Sequence, residues 1–399
     1  MFKFIHTSDW HLGQNFYGYD RGEEQRDFLR QLAEIVGRHQ PDALLVSGDI
    51  YHTAAPSSTA VTMYVEGMLA IHEACPAMKI VVIAGNHDSA SRLESDSRLW
   101  ALAGVKVLGG IARDNDGRAD LDRHIIEVDG KGLVAAVPFA YPTSFPQTGH
   151  ENVDSNERQR AYFQALMQRV EHHNTHGQPV ALMAHVAVNN SDFTGHDRNM
   201  MMECVEIGTL GEGYDYAALG HIHRPQQVSE RARYCGTPVA VSFDEQCEHS
   251  VSIVEIGRHG DMPRVTTERI RNIKPLHTVP ASDAVALDEA LNEVAQRGDI
   301  RGAYIRLNVL VERFLPIGAV ERAAKAVSAK EGRFCEIRKT SQAAASGPAR
   351  QMTVEEFNSK LPIEVADQYF IEKTGQPMTG QERAMFNYIY QQVEEENRQ

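Results

Sequence analysis

The chain has 399 residues, 42% hydrophobic and 24% charged, enough to bury a full-sized core and still form one or two small accessory domains. Its formal net charge of −14 excludes indiscriminate nucleic-acid binding by the chain as a whole, because phosphate neutralisation needs clustered Lys and Arg. No apolar run approaches the roughly 20 residues that span a bilayer, and Met1-Phe2-Lys3-Phe4-Ile5 lacks the features of a secretion signal, so no membrane association and a cytoplasmic location are expected. In chain order, Met1–Thr7, Ala43–Ser47, Lys79–Ala84, Leu133–Phe139, Val180–Ala184 and Tyr216–Leu219 read as buried strands. Between them Glu23–His39, Ser57–Ala74, Ser91–Ala103 and Glu157–Asn174 carry apolar residues at three- and four-residue steps and read as helices. Arg233–Cys235 and Ser250–Ile256 add β-structure, which predicts a second sheet packed on the first.

After about Ile273 the rhythm changes to strand, helix, strand, helix, strand: Leu276–Val279, Ala284–Gln296, Tyr304–Val311, Ala319–Ala329 and Phe334–Lys339. Four parts are therefore expected: residues 1–272, a small α/β module over 273–339, a linker over 340–352 and a helical segment over 353–399. The linker follows from the Ala-, Ser- and Gly-rich stretch Thr340–Arg350. Thr353-Val-Glu-Glu356 and Thr379-Gly-Gln-Glu382 match the capping box, in which Thr and Glu side chains satisfy each other's backbone donors. The five cysteines, Cys75, Cys204, Cys235, Cys247 and Cys335, are scattered, odd in number and without a C-x-x-C pair, so buried free thiols are expected.

The chemistry sits where apolar strands stop. Asp9-Trp10-His11 follows the first strand, Gly48-Asp49 the second and Gly85-Asn86-His87-Asp88 the third, while His185 and Gly220-His221-Ile222-His223 end later ones. In an open α/β sheet these groups converge at the carboxyl ends of the strands. Imidazole nitrogens with carboxylate and amide oxygens suit Mn, Fe or Zn rather than an all-oxygen Ca site, and seven such ligands are too many for one ion and sensible for two. A lone Gly-Asp, or one His at a strand end, is usually a turn residue or a core histidine; no packing requirement explains all of them jointly.

Taken together these pieces resemble the signature of the calcineurin-like metallophosphoesterases. The resemblance implies an α/β fold: a two-sheet layered core flanked by helices, here with the small α/β module as a capping domain and C-terminal helices. It implies that Asp49 bridges two divalent cations, with Asp9, His11 and His223 completing one shell and Asn86, His185 and His221 the other. Two such ions lower the pKa of a shared water and clamp an in-line displacement at phosphorus. His87 is then a catalytic group over the metals, and Asp88 its orienting partner.

Two further segments narrow the branch: His6-Thr-Ser-Asp-Trp-His-Leu-Gly-Gln-Asn-Phe-Tyr17 and Arg233-Tyr-Cys-Gly-Thr-Pro-Val-Ala-Val-Ser-Phe-Asp-Glu245 are similar to the SbcD family of nucleases, with Thr237 where Ser is commoner and His52 where Asp is commoner. That similarity implies a Mn2+-dependent DNA nuclease at the nucleoid, which works with an SbcC-type SMC-like ATPase as an ATP-dependent 3′–5′ double-strand exonuclease and as an endonuclease on single strands and hairpins in repair and recombination. ATP would be used by the partner and not bound by this chain. Phe16, Tyr17, Arg21 and His52 are the candidate substrate contacts, by stacking and phosphate contact. The family also implies a homodimer through Met63, Tyr64, Met68, Leu69, Leu99, Trp100 and Leu102, and docking of the ATPase on the C-terminal helices, whose stripe is Met385, Phe386, Ile389, Tyr390 and Val393. The competing readings are a free-standing phosphatase or small phosphodiesterase, which needs no docking helices, and a silent scaffold, which needs no intact ligand set.

Overall fold

The computed structural model describes residues 1–146, 155–195, 204–311 and 314–341, with 363, 367, 370, 371, 377–380, 382, 383, 385 and 386 beyond them. Two compact units divide the chain. One takes in Met1–Leu310 and Leu315–Lys339, so the small α/β module shares a unit with the residues before it; the other is Val311–Phe314 with Thr340–Gln399.

The first unit begins with β1 (Phe2–Thr7), a short hairpin of β2 (Asn15–Phe16) and β3 (Tyr19–Asp20), and α1 (Gly22–His39). There follow β4 (Ala43–Ser47), α2 (Ser58–Ala74), β5 (Lys79–Ile83), α3 (Ala90–Glu94), α4 (Ser97–Leu102) and β6 (Val105–Leu108). Next come β7 (Ile125–Val128), β8 (Gly132–Val137), α5 (Ser155–His173), β9 (Val180–His185) and β10 (Tyr216–Gly220). After these stand β11 (Gln226–Ser229), β12 (Ala232–Tyr234), β13 (Ser250–Ile256) and β14 (Arg264–Arg269). The module is β15 (Leu276–Val279), α6 (Leu287–Gln296), β16 (Tyr304–Val311), α7 (Ala319–Ser328) and β17 (Arg333–Ser341).

The strands form two six-stranded sheets, ordered β14-β13-β1-β4-β5-β6 and β11-β12-β10-β9-β8-β7, and a three-stranded sheet ordered β15-β16-β17. Strand periodicity explains the layering, because successive side chains face opposite ways. Ile5, Leu44, Val46, Ile80 and Val82 face α1 and α2, while Phe4, Leu45, Val81 and Ile83 turn to the second sheet and meet Val134, Ala136, Met183 and Ala218. On that sheet's far face Ala135, Leu182, Ala184 and Leu219 pack against Tyr162, Phe163, Leu166 and Val170 of α5. The expected two-sheet core flanked by helices is therefore the observed one. β14 is polar, Arg264-Val-Thr-Thr-Glu-Arg269, and reads poorly as a strand; it forms because an edge strand needs only one apolar neighbour, here β13.

Local chemistry sets the element ends. Ser57 caps α2 by accepting the Ala60 N–H at 3.2 Å. The single helix expected over Ser91–Ala103 is two short ones, because Ser95 and Asp96 interrupt it. Met63, Tyr64 and Met68, expected at a dimer face, lie in the core instead, whereas Leu69, Leu99 and Leu102 are exposed. All five cysteines are free, but only Cys75 and Cys235 are fully buried. In the second unit the Thr379–Glu382 capping box forms: the Thr379 N–H donates to Glu382 Oε2 at 2.7 Å and the Glu382 N–H to Thr379 Oγ1 at 3.4 Å. Thr353–Glu356, the stretch 342–350, and Ile389, Tyr390 and Val393 lie outside the described residues. Among those described, no helix is long and apolar enough to cross a membrane.

Candidate functional site

Five parallel strand ends meet at one place: β1, β4 and β5 of the first sheet and β9 and β10 of the second. The loops leaving them are laced together by main-chain hydrogen bonds, Asp9 N–H to the Gly48 carbonyl at 2.9 Å and His11 N–H to the Asp49 carbonyl at 3.0 Å. The backbone there is held in an unusual conformation. Asp9, His11, Asp49 and His221 all have positive φ, at 54°, 45°, 52° and 105°, in the left-handed region that residues with side chains avoid. Such backbone persists only where the surroundings over-determine it, and it concentrates at functional sites. Gly48, with φ of 89°, leaves room for the His185 ring, which any Cβ at this position would strike.

The side chains form two buried triads. Asp9, His11 and His223 each offer one ligand atom within 4.8 Å of the others, and so do Asp49, His185 and His221. His11 Nε2 and His223 Nε2 stand 3.2 Å apart, and His221 Nδ1 lies 3.3 Å from His185 Nε2. Asn86 Oδ1 joins the second triad at 2.8 Å from His221 Nδ1 and 3.0 Å from His185 Nε2. Asp49 Oδ2 lies between the two sets, 3.9 Å from His11 Nε2 and 3.3 Å from His185 Nε2. Facing imidazole nitrogens around buried carboxylates are what a pair of cations would hold together, so the residues present fit two divalent metals.

The electrostatics single out Asp49. Burial pushes the Asp49 carboxyl up, but the imidazoles around it, His185 foremost and then His11 and His87, together outweigh burial and hold Asp49 well below the usual carboxylate range. Burial lowers His185, and the Asp49 carboxylate, with Asp9 and the Ser47 carbonyl, more than reverses this, to about 9. Asp9 is raised, by burial and then by Asp49 against the pull of His185. Asp49 is thus the group that stays anionic at neutral pH between two sets of donors.

Orientation comes from the next ring of partners. The His185 Nδ1–H donates to the Ser47 carbonyl at 2.9 Å, leaving Nε2 for the site. His87 Nδ1–H donates to the His52 carbonyl at 2.8 Å, and its ring stands edge-on to His11 at 4.9 Å. His52 stacks on His87 at 5.7 Å, and its ring lies 5.5 Å from that of His11. Asp88, expected to orient His87, does something else. Both its oxygens accept main-chain N–H groups, from Gly85 at 2.8 Å, Tyr51 at 2.9 Å and Ile50 at 3.1 Å, so it ties two ligand-bearing loops together while a carbonyl orients His87.

Two expected substrate contacts are interior. Phe16 is 3% exposed and packs on Phe243 and Tyr304. Arg21 is fully enclosed; its guanidinium lies over the Phe16 and Tyr304 rings and donates to Glu24 at 3.0 Å and to the Ala240 carbonyl. This buried cation braces the body against the module, where Tyr304 Oη also donates to Glu24 at 2.8 Å, and it cannot meet a phosphate from there. Tyr17 is half-exposed, and His52 lines the site.

Glu245 escaped sequence reasoning. Its Oε1 stands 3.3 Å from His223 Nδ1, while Oε2 accepts the Thr237 hydroxyl at 2.5 Å, so it holds His223 with Nε2 toward His11. Burial lowers His223 and Glu245 raises it back above its ordinary value. Carboxylate partners of this kind tune the basicity of a metal-ligating imidazole, so Glu245→Gln is expected to weaken divalent-cation binding about tenfold, read by titration. Unchanged affinity would remove Glu245 from the site.

The calcineurin-like phosphoesterase family matches residues 2–225, which include every candidate ligand. The SbcD component of the SbcCD nuclease of Rhodobacter capsulatus is 31% identical over 309 residues, covering 72% of this chain and 74% of that protein. That of Bacillus subtilis is 30% identical over 337 residues, covering 81% and 83%, and that of Escherichia coli K12 is 32% identical over 260 residues, covering 61% and 62%. A family match spanning the whole ligand set, with relatives of one kind aligned along most of their length, places the chain among the calcineurin-like phosphoesterases and, within them, in the SbcD family of SbcCD nuclease components.

Proposed function

We propose that this chain is the DNA-cutting subunit of an SbcCD-type nuclease, hydrolysing phosphodiester bonds with two Mn2+ ions and acting with an SbcC-type ATPase on duplex ends, hairpins and single strands. The observation that carries the reading is the pair of buried triads joined at Asp49, in a chain of this family. Two divalent cations would supply Lewis acidity at phosphorus and make water a nucleophile near neutral pH.

The chain's own residues do the rest. Asp9, His11 and His223 would hold one cation and Asn86, His185 and His221 the other, with Asp49 available to both. The Ser47 carbonyl and the Glu245 carboxylate fix the tautomers of His185 and His223, so the donor nitrogens are in place before substrate arrives. With its Nδ1–H committed to the His52 carbonyl, His87 has Nε2 to hold a proton at the leaving oxygen. Tyr17 and His52 are the remaining substrate contacts, by stacking and by a hydrogen bond to phosphate. The net negative charge makes the cations and the partner the natural sources of positive potential for DNA.

Leu69, Leu99 and Leu102, the last 87% exposed, supply an apolar face for a homodimer, and the capped helix at Thr379 with exposed Met385 fits docking of the ATPase. One preparation tests these readings together. The full chain and a chain ending at Arg350 are given Mn2+ and end-labelled hairpin or duplex DNA, with and without SbcC, and sized by light scattering. Both are expected to cut simple substrates, and only the full chain to co-purify with SbcC and show ATP-stimulated degradation of duplex. A chain that hydrolyses bis-p-nitrophenyl phosphate yet leaves all DNA intact would instead be a free-standing phosphodiesterase, and a monomeric mass at micromolar concentration would remove the dimer.

A further inference from the structure

Adjoining the metal ligands is a cavity of about 430 Å3 that begins at the His185 imidazole and is walled by Phe139, Tyr141, Phe145 and Phe163. Its aromatic wall is tied to the catalytic loops. The Phe139 N–H donates to the Ala84 carbonyl at 2.8 Å, two residues before the ligand Asn86, and the Phe139 ring stands edge-on to His185 at 6.2 Å and to Tyr141 at 5.1 Å. Gln159 of α5 lines the same cavity, is only 4% exposed, and has a buried Oε1 with no hydrogen-bond partner. A buried amide oxygen left without a donor costs free energy, so its retention against an aromatic-lined hollow points to a ligand that brings a donor.

We propose that this cavity receives the base of a nucleotide flanking the bond being cut, stacked on Tyr141 and Phe139 with an edge N–H donated to Gln159 Oε1; this rests on the nuclease reading. The chemistry selects that occupant. The walls are largely flat and apolar, the buried Gln159 oxygen stands among them without a donor, and Asn86, His185 and His221 of the candidate metal centre line the same cavity, which together suit a planar heteroaromatic ring carried on a phosphate ester. Every base has a π-face and an edge N–H, so the subsite tolerates all four. A base seated there is unstacked from its neighbours and unpaired, so the site selects single strands, loops and frayed ends over intact duplex.

The test compares a single-stranded oligonucleotide with twins carrying a tetrahydrofuran abasic residue on either side of the cleaved bond, using the full chain with Mn2+. Wild type is expected to show kcat/KM about tenfold higher on the normal strand than on one of the abasic twins, the order of a single stacked base. Tyr141 is 67% exposed, so Tyr141→Ala removes the stacking surface without touching the core, and it should bring that ratio close to one. Gln159→Leu keeps the buried volume and should lower the ratio as well, with thermal melting confirming the fold of both variants. If wild type cuts normal and abasic strands alike, or both variants keep the wild-type ratio, the subsite is wrong while the nuclease reading stands. If wild type hydrolyses bis-p-nitrophenyl phosphate but cuts no strand, the nuclease reading falls and the base subsite with it.

Discussion

On the proposed two-cation site, Asp49→Ala is expected to reduce DNA cleavage below detection and to lower Mn2+ affinity by more than about 100-fold, since it would remove a shared ligand rather than one of the outer partners whose loss costs about 10- to 100-fold. His87→Ala is expected to lose about 10²- to 10⁴-fold in kcat, the range for a proton-transfer group, while both cations stay bound. The geometry separates the two. Asp49 Oδ2 lies within 4 Å of a ligand nitrogen from each triad, whereas the His87 side chain is tied to the His52 carbonyl. The link between them uses the His87 main-chain N–H, which donates to Asp49 Oδ1 at 2.9 Å and survives truncation of the ring. Metal analysis of both variants decides it: normal occupancy in the Asp49 variant, or empty sites in the His87 variant, would reverse the two roles.

Gly220→Ala is expected to be nearly as damaging, though residue 220 ligates nothing. A Cβ there would overlap the Ser47 main-chain carbonyl, an atom that cannot swing aside as a side chain can. That carbonyl accepts the His185 Nδ1–H, and Ser47 stands two residues before Asp49. Pushing it away displaces ligands from both sheets together. Overpacking of this kind costs about 1–3 kcal/mol, and a displacement of about 1 Å at reacting groups can cost about 100-fold in rate. A urea midpoint falling together with Mn2+ affinity and kcat is the expected result; wild-type values in all three would show that the strand ends are not so tightly apposed.

Fold and site differ in how far the amino-acid order alone reveals them. The runs Ala43–Ser47 and Lys79–Ile83 are short, apolar and bounded by Gly-Asp and Gly-Asn turns, so both the strands and the polar groups at their ends are legible locally. That Asp9, Asp49, Asn86, His185, His221 and His223 gather at one place is legible in advance because each falls where a buried strand stops. The strained backbone at Asp9, His11, Asp49 and His221 could not, since positive φ at a residue with a side chain is imposed by neighbours rather than by propensity.

What tertiary structure decided is which way polar side chains turn and what they meet. Arg21 resembles a surface cation in sequence; it is buried because Ala240, more than two hundred residues later, places a carbonyl against it and the module closes over it with Tyr304. Asp88 adjoins His87 in sequence, yet backbone N–H groups from a second loop, at Ile50 and Tyr51, claim its oxygens. Glu245 closes a segment that resembles the family, yet nothing local ties it to His223; it gains that contact because its loop returns to place Oε1 3.3 Å from His223 Nδ1. Hydrophobic periodicity is written within a few residues and so determines strands, helices and the points where they end, whereas a hydrogen bond or an ion pair needs a partner at about 3 Å that only the packing of distant segments supplies.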